Sequence, residues 1–292
     1  MTAPSGPAGA VRLVNLGGRA CLDRAGAAVD VAQASSGRWG PDPMQVLAAW
    51  DDVVEWARGV DQTGVAFDAR DLAPVVPRPA KVFAVALNYR RHAEETGAAL
   101  PPTPSVFTKF PSCLAGPASD VVLPSSSVDW EVELVVVVGR GGRDIPAERA
   151  RDHIAGYTIG QDFSEREVQY AGSVPQFSLG KSFDTFGPIG PAIVTLDAFA
   201  DPDDLELWCE VSGERVQHSR TGDLIFSVPE LISYLSGICT LEPGDLVFTG
   251  TPSGVGVARS PQRFLRDGDV VVSGIEGIGT MTNRARAGSP RA

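Results

Sequence analysis

Three acidic residues near the middle of the chain stand where solvated acids do not belong: Glu131 and Glu133 in Asp129-Trp130-Glu131-Val132-Glu133, and Asp162 in Gly160-Gln161-Asp162-Phe163. The run from Glu131 continues as Leu134-Val135-Val136-Val137-Val138, the pattern of a buried strand. Side chains alternate along a strand, so Glu131 and Glu133 share one face while Val132 and Leu134 take the other. Like charges so close in a poorly solvated place require a shared proton, a basic partner or a metal ion. A third carboxylate ends another apolar strand, and no Cys or His lies nearby in sequence. The set therefore suits a hard, oxygen-loving cation: Mg2+ first, then Mn2+ or Ca2+. The competing reading is an acidic strand edge turned to solvent, and spacing alone leaves both open.

Other residues bear on the same chemistry. His92 and Glu95 stand at i and i+3 on a short polar helix, where the two side chains can touch, although a histidine in such surroundings is by itself more often solvated. Lys181 lies in an otherwise apolar stretch before Ser182-Phe183. Its cation could offset the acids or hold an anionic substrate group, and a lysine snorkelling to the surface fits the same spacing. Gly180-Lys181-Ser182 is no phosphate loop, because Pro175 stands where that motif needs glycine. Gly250-Thr251-Pro252-Ser253-Gly254 reads as a tight turn that could also present N–H groups or a hydroxyl to a carboxylate. His153 and His218 read as structural or exposed.

The elements that must position these residues follow from local signals. Val11 to Asp30 suits small hairpin strands, and Asp42-Pro43 opens a helix that runs through Trp50 toward Trp56. The proline-rich Leu72 to Pro79 is a stiff connection, which places a boundary near residue 78. Residues 1–77 are thus expected as a small N-terminal module with its linker, 78–284 as the main domain and 285–292 as a flexible tail. Lys81 to Leu87 reads as a strand, followed by a short helix around Tyr89 to Glu95 that Gly97 ends. Pro146 is expected to start a helix that Gly156 closes, and Tyr157 to Gly160 to lead as a strand into Asp162. Ser164 with Glu167, and Ser227 with Glu230, have the spacing of capping boxes.

Composition narrows the partners. The 292 residues are 43% hydrophobic and 21% charged, enough for a large core. A net charge of -11 excludes nucleic acid and anionic membrane surfaces as natural partners. Cys21, Cys113, Cys209 and Cys239 show no paired spacing, so neither a disulfide framework nor a zinc site is indicated. With neither a leader pattern nor a membrane-length apolar run, the expected location is cytoplasmic.

Asn88 to Glu95, Trp130 to Leu134, Asp162, Gly180 to Phe183 and Thr249 to Gly256 stand in this order along residues 78–284, and through these motifs the chain resembles the fumarylacetoacetate hydrolase family. Asn88-Tyr89-Arg90-Arg91-His92-Ala93-Glu94-Glu95 is similar to the family's Asn-Tyr-x-x-His-x-x-Glu segment, and Trp130-Glu131-Val132-Glu133-Leu134 to its aromatic-Glu-x-Glu-Leu strand. Asp162 takes the third metal-ligand position. Gly180-Lys181-Ser182-Phe183 matches a Lys-Ser-Phe motif, and Pro243-Gly244-Asp245 with Thr249 to Gly256 matches the C-terminal signature. Glu165-Arg166-Glu167 departs from the Ala-Arg-Asp common after the aspartate. The resemblance implies a strand-dominated α+β fold, a mixed β-roll carrying the small N-terminal module, and a homodimer. It implies Glu131, Glu133 and Asp162 as ligands of Mg2+ or Mn2+, with His92, Glu95 and Lys181 catalytic. Arg166, Gln169 and Thr251 are the expected substrate contacts.

The activity it implies is cleavage of a carbon–carbon bond in an acylpyruvate- or fumarylpyruvate-like acid, a small anionic 2-oxo acid, through a metal-held enolate. The His92–Glu95 pair would take the proton of the attacking water. Decarboxylation, isomerisation or hydration on the same metal platform is the alternative within enzymes. Outside enzymes the alternative is a non-catalytic, metal-stabilised binding protein.

Overall fold

The computed structural model describes residues 9–288. The chain opens with a meander of β1 (Arg12–Leu16), β2 (Arg19–Asp23) and β3 (Ala27–Asp30), followed by helices α1 (Val31–Ala34), α2 (Pro43–Ala48) and α3 (Trp50–Arg58). Asp42 caps α2 by accepting a bond from the Met44 amide, with Pro43 in the first turn. The single helix expected from Asp42 to Trp56 is two, because Ala49 leaves helical geometry at φ -116°. After the break the Trp50 indole N–H donates to the Ala155 carbonyl at 3.0 Å, a contact that ties these helices to the rest of the fold.

The chain continues through β4 (Val65–Ala66), β5 (Val82–Ala86), α4 (Arg90–Thr96), β6 (Ser105–Thr108), β7 (Leu114–Ala115), β8 (Val121–Leu123), β9 (Val128–Asp129) and β10 (Val132–Val138). Next come β11 (Ile154–Gln161), β12 (Ser164–Glu165), α5 (Arg166–Gln169), α6 (Phe177–Gly180) and β13 (Gly187–Val194). The last elements are β14 (Glu206–Val211), β15 (Glu214–Arg220), α7 (Val228–Ile238), β16 (Leu246–Phe248), β17 (Val270–Ile275) and β18 (Gly279–Ala287).

These strands build a strand-dominated α+β fold with mixed sheets. The largest sheet runs β4-β3-β2-β1-β13-β11-β10-β16-β5-β6, with β7 beside β13. Most neighbours are antiparallel, and β16–β5 and β13–β7 are parallel. A second sheet runs β15-β14-β17-β18-β8, and β9 pairs with β12. Strand β10 is covered on both faces, which explains its unbroken apolar run. Val132, Leu134, Val136 and Val138 pack with Leu207, Val271 and Ile275 of the second sheet. Val135 and Val137 pack on the opposite side with Leu47, Trp50, Ile189 and Phe248. Glu131 and Glu133 continue that second face past its apolar end.

Several local expectations change. Ala147–His153 is a 3-10 turn and the chain is extended again from Ile154, so Gly156 lies inside β11 rather than closing a helix. Its missing Cβ accommodates the Val194 backbone of the neighbouring strand. Ser164 does not cap a helix. It pairs with Asp129 in the β12–β9 ladder, so the helix starts two residues later and Glu165 is the cap, accepting a bond from the Val168 amide. The Ser227–Glu230 capping box is present at α7, and Gly97 ends α4 in the left-handed region. Residues 285–287, expected in the flexible tail, pair with Val121–Leu123, while 289–292 lie outside the described residues. Among the described residues no helix is long and apolar enough to cross a membrane, and all four cysteines are free.

Candidate active site

The register of β10 on β11 pairs Val132 with Gln161, so the next residue of each strand end, Glu131 and Asp162, must meet. The Asp162 amide donates to the Glu131 carbonyl at 2.9 Å, and the Gln161 side chain accepts from the Glu131 amide at 2.9 Å. Two strands thereby fix three side chains. Oxygens of Glu131, Glu133 and Asp162 lie within 4.8 Å of one another, and the residues are 7%, 2% and 0% exposed. This rules out the solvent-facing strand edge.

Buried cations surround two of these acids. Lys181 Nζ bridges Glu131 Oε2 at 2.7 Å and Asp162 Oδ2 at 2.6 Å. Arg166 donates to Glu131 Oε1 at 2.7 Å and, through two nitrogens, to Asp129 Oδ2. Lys109 Nζ donates to Asp162 Oδ1 at 2.7 Å. Glu133 is different: its carboxylate accepts from the Gly250 amide at 2.8 Å and touches no cation. Burial would raise the Glu131 pKa, but Lys181 and Arg166 outweigh it and hold the carboxyl below the usual range. Burial, then the charges of Asp162 and Glu131, push Glu133 well above it. Burial acts to lower Lys181, and Asp162 and Glu131 outweigh it, so the ammonium stays charged.

Four buried carboxylates, counting Asp129, thus face three buried cations, and the shortfall falls at Glu133. An all-oxygen donor set with one carboxylate repelled by its own neighbours fits a hard divalent cation. Glu131, Glu133 and Asp162 would hold it.

His92 Nδ1 lies 3.0 Å from Glu95 Oε2 on α4, one helical turn apart as the spacing predicts. Glu95 Oε1 accepts from the Gly254 amide at 2.9 Å, which latches α4 onto the loop after β16. A charge on His92 would lower Glu131 further, which brings the pair into the electrostatic field of the acids. Thr251 Oγ1 donates to the Val132 carbonyl and accepts from Gln217 Nε2, both at 2.9 Å, and so pins the same loop to β10. Arg166 also donates to Gln169 Oε1 at 2.8 Å, and both side chains are buried.

Sequence reasoning passed over Asp129 and Lys109. Asp129 shares the odd-numbered parity of Glu131 and Glu133, and that parity was the available signal. Its carboxylate accepts from Arg166 and from the Gly256 and Val257 amides. Lys109 is 1% exposed, although it follows a largely exposed strand. A groove of about 1010 Å³ between the 123–126 and 259–267 segments contains none of the three strand and corner acids or their cations.

Residues 81–286 match the family described as fumarylacetoacetate (FAA) hydrolase, C-terminal. The mitochondrial oxaloacetate tautomerase FAHD2B of Bos taurus is 47% identical over 215 residues, covering 73% of this chain and 68% of the relative. A crystal structure of a candidate HpcE protein from Mycobacterium smegmatis is 52% identical with a TM-score of 0.91, covering 95% of this chain and all 100% of that one. The maleylpyruvate hydrolase of Sphingobium sp. SYK-6, solved with manganese(II) and pyruvate, is 30% identical with a TM-score of 0.77, covering 95% and 100%. The match spans the paired strand acids, the corner aspartate and the histidine helix together, and the chain belongs to the fumarylacetoacetate hydrolase family.

Proposed function

We propose that the protein is a divalent-metal-dependent enzyme that moves a proton on a small 2-oxo acid, with keto–enol interconversion of oxaloacetate as its leading reaction. The observation that carries this reading is the His92–Glu95 pair, latched by Gly254 beside the buried acids. Likeness to the oxaloacetate tautomerase relatives supports this substrate class. A bound Mg2+ or Mn2+ would polarise the 2-oxo group and make the neighbouring C–H acidic. His92 turns Nδ1 to Glu95, and its Nε2 has no protein partner among the described residues. That nitrogen takes the proton from carbon, and the Glu95 carboxylate stabilises the imidazolium that results. The same proton is then delivered to the oxo oxygen, so one C–H bond breaks and one O–H bond forms. Lys181, held charged between two acids, supplies fixed positive potential for the anionic substrate.

Hydrolysis of an acylpyruvate- or fumarylpyruvate-like acid is the second reading, favoured by likeness to the maleylpyruvate hydrolase. Here His92 takes a proton from water, the water oxygen attacks the distal carbonyl, the carbon–carbon bond to the pyruvyl methylene breaks, and the proton returns from His92 to that carbon. One experiment separates the two. Purified protein with Mn2+ or Mg2+ is given enol-oxaloacetate, acylpyruvates and fumarylpyruvate, following enol absorbance and product masses. The expected result is metal-dependent loss of the enol signal without carbon–carbon cleavage, abolished in His92→Ala. Cleavage of an acylpyruvate with no effect on oxaloacetate replaces the first reading with the second, and release of CO2 from oxaloacetate replaces both with decarboxylation.

A further inference from the structure

Lys109 has the features of a built component. It follows β6 directly, and its amide donates to the Val82 carbonyl at 3.1 Å, which fixes the backbone. Its Nζ is fully enclosed and donates to Asp162 Oδ1 at 2.7 Å, to the Lys181 carbonyl and to the Phe186 carbonyl at 3.3 Å. An ammonium has three N–H donors, so none remains for a substrate. Gly187 makes room for the stem: a Cβ there would lie 2.8 Å from Cys113 Sγ and 3.3 Å from Lys109 Cε.

We propose that Lys109 is a positioning residue, which fixes the Asp162 carboxylate in its ligand orientation and anchors the backbone from which Lys181 projects. The inference rests on the reading of Glu131, Glu133 and Asp162 as ligands of a divalent cation. With Oδ1 of Asp162 held by Lys109, rotation of the carboxylate is stopped and Oδ2 stays toward Glu131 and Lys181. One amine thus sets an acid and, through the carbonyl of Lys181, the cation bonded to that acid.

The role makes a signed prediction. A Lys109 that acted only as a charge would repel a metal ion, so its removal would tighten cation binding. A Lys109 that only filled space would leave affinity unchanged and lower thermal stability alone. A positioning Lys109 weakens binding when it is lost, on the tenfold to hundredfold scale typical of groups that orient metal ligands. The test is Mn2+ titration of the full chain after chelator treatment, without substrate. Lys109→Met is expected to bind Mn2+ about tenfold or more weakly, and Lys109→Arg, which keeps cation and donors, to stay closer to wild type. Unchanged or tighter binding in Lys109→Met overturns the inference. Should that variant fail to fold, Gly187→Ala presses on the Lys109 stem from outside the acids. It should weaken Mn2+ binding to a smaller degree, and wild-type affinity there overturns the inference equally. Wild-type protein that takes up no Mn2+ overturns the cation reading along with this one, whereas a binding wild type beside an unaltered Lys109→Met overturns this inference alone.

Discussion

Glu95 has two donors to satisfy and two carboxylate oxygens with which to do it, His92 Nδ1 at 3.0 Å and the Gly254 amide at 2.9 Å. A glutamine has one acceptor oxygen and an amide donor, so Glu95→Gln keeps both contacts only if Nδ1 becomes the acceptor, which puts the imidazole proton on Nε2, the nitrogen that must act as base. Any other outcome frees the imidazole or unlatches α4. We expect Glu95→Gln to slow turnover about a hundredfold, the scale of lost acid–base assistance, with Mn2+ affinity nearly unchanged. A His92→Ala, Glu95→Gln double variant should be little worse than either single change, because the pair acts as a unit. Steady-state rates of the three variants check this, and fully multiplicative losses would separate the two residues. At this scale the sequence was informative where a period applied: alternation placed Glu131 with Glu133, and helical spacing placed His92 with Glu95. It was silent on Lys109, because an exposed-looking strand tip gives no hint that the next side chain turns into a distant acid.

At the level of elements, the corner after Asp162 depends on a different residue from the one that spacing suggests. Glu165 is 1% exposed and accepts from the Val168 amide and from the hydroxyls of Ser125 and Ser127. Glu167, the acid of the expected capping box, is exposed. Removing the cap costs about 1 kcal/mol, and taking a charged acceptor from the buried Ser127 hydroxyl and the half-buried Ser125 hydroxyl, which then have only each other, adds about 1–3 kcal/mol. Glu165→Ala should therefore lose roughly 2–4 kcal/mol in urea unfolding, while Glu167→Ala stays within about 0.5 kcal/mol of wild type. Equal losses would return the cap to the capping-box pair. The same motif at Ser227 and Glu230 is real, so the rule itself holds. At Ser164 it gave way because the β12–β9 ladder keeps the backbone extended for two more residues. That competition is non-local, and no window of sequence around Ser164 contains it.

The whole molecule poses the question of what residues before 78 do for the site. Their proline-rich end and the family match that begins at residue 81 both suggest a detachable leader. The packing argues for dependence. Strand β1 pairs with β13 through Arg12–Val194 and Leu13–Ile193, a partnership that alternation cannot disclose, since it shows that a strand has a buried face and not what buries it. Val11, Leu13, Leu47, Trp50, Val53 and Val76 share one core with Val135, Val137, Ile189, Ile193 and Phe248. Each such side chain contributes about 1.5–3 kcal/mol when buried. Deletion of residues 1–77 would uncover the β10 face that ends in Glu131 and Glu133 and expose the edge of β13. A chain of residues 78–292 is expected to aggregate or to lack a cooperative thermal transition, and to bind no Mn2+. Expression of that fragment, with circular dichroism melting and Mn2+ titration, checks it. A soluble fragment that melts cooperatively and binds Mn2+ like the full chain would show that the catalytic sheet needs no cover from the first 77 residues.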